Sequence, residues 1–387
     1  MKITGIIAEY NPFHNGHRYQ LEFAKKHSDA VVAVMSGSFV QRGEAAILDK
    51  WTRAQMALLC GVDLVLELPA CFCVNSAERF AFGAVFLLDQ FGIIDTLCFG
   101  SESGDISELT RAAALLLHEP DMVSKKIQQY LAVGESHPAA RQKAYAGLIP
   151  ESILCQPNNI LALEYLCALE RLKSHIRPVT LGREAVGYHD QAPKGLFASA
   201  AAVRSRMQNG ADYFAWVPTQ LRPVYETAVH YDTARLDTAI SCYLRTANPE
   251  RLRAVSGVAE GLENRLIVAG RQYDSIEDIV QHTVTKRYTA ARIRRICLSA
   301  LLGLTPDLAR TPPRYARVLG MNQTGKSLLA AIRKTTKLQI VTKTADYTSA
   351  DSMFAKDILA TDLAALCADS PTYRQAGKDY KTTPVIV

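Results

Sequence analysis

The sequence predicts an α/β fold in its first half and a mainly helical second half. Short runs of apolar and β-branched residues alternate with helical patterns in the first half, and most of these runs end at glycine or proline. From about residue 209 the alternation stops, and helical segments with charged faces follow. Continuous apolar strands joined by helices are typical of a parallel sheet that is covered on both faces.

Strands are predicted over residues 3–8, 30–35, 62–68, 95–99 and 178–181. Helices are predicted from residue 17, over 50–60 and 77–90, between Gly104 and Tyr145, and over 160–173. Ligands of such sheets bind beyond the carboxyl ends of the strands. We therefore expect His14, residues 36–37, residues 67–69 and Gly100 on one edge of the sheet.

Two histidines follow the first strand. The chain turns at Asn11-Pro12, and His14, Gly16 and His17 come directly before an amphipathic helical pattern. Backbone N–H groups and the dipole at a helix start favour phosphate, imidazoles can donate hydrogen bonds to it, and Gly16 leaves room for a ligand. The alternative, ordinary turn and surface histidines, is less favoured in this context. The pattern predicts phosphate chemistry by positioning and charge stabilisation.

Composition is that of a globular enzyme. Of 387 residues, 48% are hydrophobic and 21% are charged, which excludes a disordered or fibrous protein. No apolar run approaches the roughly 20 residues that cross a bilayer, and the start lacks a signal-peptide pattern, which predicts a cytoplasmic location. The nine cysteines are scattered, and Cys71 and Cys73 form the only close pair. We expect reduced thiols and no structural metal.

Positive charge is concentrated in the last third. The net charge is +6, and one dense run contains Lys286, Arg287, Arg292, Arg294 and Arg295, with an interleaved tyrosine at position 288. A solvated helix face is one interpretation. A nucleic-acid surface is the other, because arginine and lysine contact phosphates and aromatic rings stack on bases.

Two further stretches resemble phosphate sites. Ser199 precedes small residues and a helix that carries Arg204, which could clamp a phosphate, although an N-cap and a surface charge are the alternative. Residues 320–327 formally match a Walker A loop. No βαβ unit surrounds them, so a loop between helices is expected instead.

Several ordered motifs together resemble the bacterial tRNA(Met) cytidine acetate ligase family, of the nucleotidyltransferase-like superfamily with the His-x-Gly-His signature. They occupy residues 6–17, 35–37, 41–44, 99–102, 157–161, 187–190 and 199–204, and more thinly 286–289 and 292–295. The resemblance implies a Rossmann-like parallel sheet nucleotidyltransferase domain over residues 1–208, for ATP and acetate. It also implies a mainly helical domain over residues 209–387 that binds tRNA.

The reaction implied by the resemblance joins ATP and acetate into acetyl-adenylate, with pyrophosphate released. The acetyl group then passes to the exocyclic amine of the wobble cytidine of elongator tRNA(Met). The implied ATP site comprises Ile7, Ala8, Glu9, Tyr10, Asn11, Pro12, Phe13, His14, Asn15, Gly16, His17, Arg18, Tyr19, Gln20, Gly100, Asn158 and Arg183. One departure is Ala201, where the superfamily signature carries a hydroxyl.

His14 and His17 are the predicted catalytic residues, donating to the phosphates while magnesium, expected with ATP, neutralises the leaving pyrophosphate. No tightly bound cofactor is expected. Lys50 and Arg53 are candidate contacts to acetate or phosphate, with an exposed helix start as the alternative. The flipped cytidine would be read by stacking and hydrogen bonds. A small-molecule nucleotidyltransferase and a non-catalytic nucleotide or RNA binder remain as alternative functions.

Overall fold

The computed structural model describes residues 1–182, 195–259, 261–347 and 351–387. Within these residues no helix is long and apolar enough to cross a membrane. The strands are β1 (Ile3–Ala8), β2 (Ala30–Ser36), β3 (Phe39–Val40), β4 (Glu44–Ala45), β5 (Leu64–Leu68), β6 (Thr96–Ser101), β7 (Arg177–Gly182), β8 (Tyr315–Met321), β9 (Gln339–Val341) and β10 (Val385–Ile386).

Helices cover most of the remaining described chain. Those of the first half are α1 (Asn15–Lys26), α2 (Lys50–Leu59), α3 (Ala70–Cys73), α4 (Ala77–Gln90), α5 (Ile106–Leu117), α6 (Asp121–Ala132), α7 (His137–Ala144), α8 (Glu151–Cys155), α9 (Pro157–Leu172) and α10 (Ala200–Gln208). Those of the second half are α11 (Arg222–Thr227), α12 (Asp237–Thr246), α13 (Pro249–Arg253), α14 (Leu262–Gln272), α15 (Ile276–Thr283), α16 (Ala290–Leu302), α17 (Pro306–Arg310), α18 (Gln323–Thr335), α19 (Ser352–Ala365) and α20 (Lys378–Lys381).

The central sheet has the strand order β10-β8-β5-β2-β1-β6-β7, and β9 also pairs with β8. The five strands from β5 to β7 are mutually parallel, as predicted. Their apolar residues alternate between two cores. In β2, Val32 and Val34 pack on one face, while Val31, Ala33 and Met35 pack on the other. Both faces are therefore covered, which explains why these strands read as continuous apolar runs.

The second half of the chain returns to the sheet, which the sequence does not predict. Strand β8 is wholly buried and pairs antiparallel with β5. Helix α18 follows β8 directly, so the expected loop between helices at residues 320–327 is wrong. The predicted boundary between residues 208 and 209 stays a prediction.

The Walker-like stretch does not form a phosphate loop. The Asn322 side chain occupies the start of α18, accepting from the Gly325 amide at 2.9 Å and donating to the Asp63 carboxylate at 2.8 Å. A Cβ at Gly325 would lie 1.9 Å from the Asp63 carbonyl oxygen. Protein atoms thus fill the place where a phosphate would lie, and the glycine serves close packing.

Candidate active site

A cavity of about 600 Å³ lies where β1, β6 and β7 end and where α1 and α10 begin. This is the edge that the parallel sheet predicts for a ligand. Of the predicted site residues, its lining includes Ile7, Ala8, Glu9, Tyr10, Asn11, His14, Gly16, His17, Tyr19, Gln20, Gly100, Asn158, Ser199 and Arg204. Pro12, Phe13, Asn15 and Arg18 lie in the same turn and first helical residues without lining it.

The two signature histidines stack on each other at the start of α1. Their ring centroids are 3.8 Å apart with an angle of 24° between the planes. The Gly16 amide donates to His14 Nδ1 at 3.0 Å, and the His14 amide donates to His17 Nδ1 at 3.2 Å, in the manner of a capping box. Because both Nδ1 atoms accept hydrogen bonds, each neutral ring carries its proton on Nε2. The helix start therefore presents two N–H donors of one tautomer.

Gly16 has a second task besides leaving room for a ligand. A Cβ at this position would lie 2.9 Å from Cε1 and 3.0 Å from Nδ1 of His14. Any side chain would therefore push the His14 ring out of its place over the helix start. The glycine between the histidines is required by the ring that caps the helix as well as by the ligand.

The turn before the histidines is held from several directions. Arg204 Nη1 donates to the Asn11 carbonyl at 2.6 Å, and the Ile47 amide donates to Asn11 Oδ1 at 2.8 Å. Asn15 Nδ2 ties the start of α1 to the carbonyls of Leu196 and Ala215. Asn11 Nδ2 is buried without a hydrogen-bond partner among the described residues. An amide donor in such a state is available to an oxygen-rich ligand.

Residues Gly100 and Asn158 belong to a second wall of the cavity. Asn158 Nδ2 and its backbone amide both donate to Glu102 Oε1, at 2.5 and 3.2 Å, and the Asn159 amide donates to Glu102 Oε2 at 2.7 Å. Glu102 therefore caps α9 and fixes Asn158 against the end of β6. Glu102 lies in the sequence motif at residues 99–102, but no local pattern predicts this capping role. Arg183 and the motif at residues 187–190 lie outside the described residues.

Ser199 and Arg204 both reach the cavity from α10. Ser199 is the N-cap of that helix and accepts from the Ala202 amide at 3.1 Å, so the N-cap given as the alternative to a phosphate contact is confirmed. Ala200 and Ala201 line the cavity beside it, so Ala201 offers a methyl group where the superfamily signature carries a hydroxyl. A second helix start with small residues thus faces the same cavity as α1.

Glu9 is the acidic residue of the described cavity lining. Its Oε1 accepts from the Gln41 amide at 2.8 Å, and its carbonyl accepts from Arg53 Nη1 at 2.6 Å. Burial raises the pKa of the Glu9 carboxyl, opposed by the Gln41 amide and by the charges of Arg204, Arg42 and Arg53. In the sequence, only the position of Glu9 within the motif at residues 6–17 indicates a place in the ATP site.

The structure places Lys50 and Arg53 differently from the two predictions made for them, a contact to acetate or phosphate and an exposed helix start. Both side chains are fully buried, so an exposed helix start is wrong, and neither lines the cavity. Lys50 binds Glu67 at 2.8 Å and Asp379 at 3.0 Å. Arg53 donates to backbone carbonyls at the ends of β1 and β2, including that of Ser36 at 3.0 Å. The donor groups of both side chains are hydrogen-bonded to protein acceptors. Neither side chain therefore points a donor at acetate or phosphate in the cavity, and Arg53 stabilises the strand ends beside it.

The basic run of residues 286–295 divides into two parts. The side chains of Lys286 and Arg287 are exposed. The Tyr288 side chain is only 6% exposed, and its hydroxyl donates to the Ala259 carbonyl. The prediction that the Tyr288 ring stacks on a base is therefore wrong. The three later arginines contact protein partners: Arg292 bonds the Gly257 carbonyl, Arg294 pairs with Glu277, and Arg295 donates to the Gln41 carbonyl.

The comparisons with known proteins agree with the fold and the histidine signature. The HIGH Nucleotidyl Transferase family matches residues 1–379. A tRNA(Met) cytidine acetate ligase of Acetivibrio thermocellus is 39% identical, with 100% of both chains covered, and one of Caldanaerobacter subterraneus is 42% identical over 95% of each. The crystal structure of Thermotoga maritima TmcAL bound with alpha-thio ATP has a TM-score of 0.91, 33% identity and full coverage of both chains. The chain belongs to the tRNA(Met) cytidine acetate ligase family.

Proposed function

We propose that this chain activates acetate with ATP as acetyl-adenylate and then acetylates the wobble cytidine of elongator tRNA(Met). The pair of stacked imidazoles at a helix start in a cavity of about 600 Å³ carries the proposal. The names of the full-length relatives and the ATP analogue in the Thermotoga maritima structure support it. The cavity volume falls within the range of about 300–1,000 Å³ that is usual for small-molecule sites.

The triphosphate of ATP lies between the starts of α1 and α10 in this proposal. His14 and His17 donate from Nε2 to the phosphate oxygens, and backbone amides of both helix starts add further donors. A carboxylate oxygen of acetate attacks the α-phosphorus in line, and pyrophosphate leaves. The donors are in place before the reaction, so they stabilise the growing negative charge without reorganisation.

The adenine base is proposed to pack on the apolar part of the cavity lining. That part includes Phe80, Phe99, Ile160, Leu161 and Tyr165. Asn158 and Arg183 are proposed to hold the ribose, the base or the phosphates. Magnesium is proposed to arrive with ATP, held by phosphate oxygens and water, which is its usual mode in ATP sites. The described lining carries a single carboxylate, so a dedicated protein cage for the ion is not part of the proposal.

Exchange of labelled pyrophosphate into ATP tests the first step. Exchange that requires acetate supports the proposal. Exchange that requires another acceptor would instead indicate a small-molecule nucleotidyltransferase, and its absence would indicate a non-catalytic binder. Mass analysis of tRNA(Met) from cells with and without this protein tests the second step, since loss of an acetyl group from cytidine is expected without it.

Transfer RNA is proposed to lie along the exposed part of the basic run, at Lys286 and Arg287. Replacing both by alanine should weaken tRNA binding and lower the slope of log affinity against log salt by roughly 1 to 2. The matched control is Arg333 and Lys334, an adjacent exposed pair on α18 with the same charges. Equal slopes for the two double variants would exclude this surface.

A further inference from the structure

Glu9 places a negative charge on the wall of a cavity whose other charged side chains are cationic. Besides the histidine pair, the other charged side chains of the described lining are Arg42 and Arg204. A carboxylate at such a position weakens the binding of a triphosphate, since like charges repel. Glu9 therefore does not contribute to nucleotide affinity through its charge. Its chemistry fits a different substrate, one that offers an N–H group.

The Glu9 side chain is held in place while one of its oxygens stays available. Oε1 accepts from the Gln41 amide at 2.8 Å, and Arg53 fixes the backbone of the same residue through its carbonyl. No described residue donates a hydrogen bond to Oε2. A carboxylate with one bound and one available oxygen is positioned to accept one proton from a ligand in the cavity.

The exocyclic amine of cytosine is the substrate group with matching chemistry. Its N–H groups donate to carboxylates, a pairing known from protein–nucleic acid contacts. Its nitrogen lone pair is delocalised into the ring, so it attacks an acyl carbon poorly unless a base removes a proton. The first half-reaction needs no such base, because acetate is already an anion.

We propose that Glu9 recognises the cytidine amine and acts as the general base of the transfer step, an inference that rests on the proposed function. The amine nitrogen attacks the carbonyl carbon of acetyl-adenylate, and a C–N bond forms. One N–H proton passes to Glu9 Oε2, the C–O bond to the phosphate breaks, and AMP leaves with that electron pair. One N–H remains on the product amide, and Glu9 returns its proton to solvent.

The surroundings of Glu9 suit this task. The charged groups Arg204 on α10, Arg42 after β3 and Arg53 on α2 act on the carboxyl, and Tyr165 on α9 faces it. Burial raises the pKa of Glu9, which strengthens it as a base, while the three guanidinium groups oppose that shift and favour the charged form. A base of this kind takes up a proton more readily than an exposed carboxylate.

The substitution Glu9→Gln tests the inference, because the amide keeps an oxygen for the Gln41 amide and removes the base. Transfer should lose far more than acetate-dependent exchange does, because the base acts only in the second step. Single-turnover transfer from enzyme-bound acetyl-adenylate to tRNA(Met) should fall by about 10²–10⁴-fold, the range usual for loss of a general base. Native-like transfer in the variant would overturn the inference. An equal loss of exchange and transfer would also overturn the inference, and so would a raised magnesium requirement for exchange. Each of these results would assign Glu9 to the reaction of ATP with acetate.

A second measurement does not depend on how the variant folds. In the unmodified protein, the transfer rate should rise with pH as Glu9 loses its proton and then level off. A transfer rate that is independent of pH on the acidic side would overturn the inference. If the unmodified protein shows no acetate-dependent exchange, the proposed function fails and this inference fails with it. If Glu9→Gln shows normal exchange and unimpaired transfer, only the role of Glu9 as general base is rejected.

Discussion

The tautomer of His17 leads to a test that separates its structural role from its chemical role. His17→Asn places an amide oxygen near the Nδ1 position, where it can still accept from the His14 amide, but it removes the Nε2 donor. His17→Gln can reach the Nε2 position with an amide N–H only by releasing the His14 amide, because one glutamine cannot form the capping-box bond and donate there at once. The two substitutions therefore separate helix capping, which is measured as stability in urea, from hydrogen-bond donation by Nε2, which is measured as exchange activity.

The expected magnitudes differ enough to be resolved. Loss of one preorganised donor to a growing oxyanion costs about 2.7–4 kcal/mol, or about 10²–10³-fold in rate. Loss of the helix cap costs about 0.5–2 kcal/mol of folding free energy. His17→Asn should thus lose about 10²–10³-fold in acetate-dependent exchange at nearly native stability. His17→Gln should be destabilised by about 1 kcal/mol in urea and keep more of the exchange activity.

The control is His27→Asn, at the exposed C-cap of the same helix, which should leave the exchange activity unchanged. Near-native exchange in His17→Asn would refute the assigned role of Nε2. Equal stability and equal activity of the two His17 variants would refute the tautomer argument, since each substitution keeps a different half of the ring. His17→Ala, which lacks both halves, should abolish adenylate formation while the fold remains.

Three further predictions concern buried or internally bonded charges. Lys50→Met leaves Glu67 and Asp379 as buried carboxylates and should lower the free energy of unfolding in urea by about 3–5 kcal/mol; a loss near zero would contradict the ion-pair network. Asp357 has a pKa raised to about 8, chiefly by burial, so the folded state holds its proton above the unfolded pKa and stability should fall as pH rises toward 8; Asp357→Asn should reduce that fall, and an unchanged pH dependence of urea unfolding would argue against it. Arg295→Ala should leave the salt dependence of tRNA binding unchanged, because its guanidinium donates to the Gln41 carbonyl at 3.0 Å; a shallower slope would return it to the tRNA surface.

Local patterns carried the prediction of the parallel sheet and of the histidine signature. Residues 30–35 are apolar over their whole length and residues 3–8 are apolar apart from Thr4, and strands β1 and β2 lie there, paired in parallel. The two histidines could be placed because a strand end and a helix start within a few residues of each other determine where they lie. A capping pattern of this kind is formed by neighbours in the chain.

Long-range contacts decided what the sequence could not predict. Strand β8 pairs antiparallel with β5, about 250 residues earlier in the chain, so no local signal indicates its partner. Lys50 is opposed by Glu67 and by Asp379, which comes from the far end of the chain. A lysine at a helix start reads as exposed until its partners are known, because burial of a charge depends on what surrounds it.

By itself, the sequence determined the parallel core, the family and the pair of imidazoles at the first helix start. The tertiary structure alone decided that the Glu9 carboxylate lies at the cavity with one oxygen hydrogen-bonded to the Gln41 amide. It also decided that Glu102 accepts from Asn158 and that Arg53 donates to the Glu9 carbonyl. The physical reason is the range of the interactions. Periodicity and helix caps depend on residues within a turn or two, whereas charge, burial and hydrogen-bond partners in a cavity are set by segments that meet only after the chain has folded.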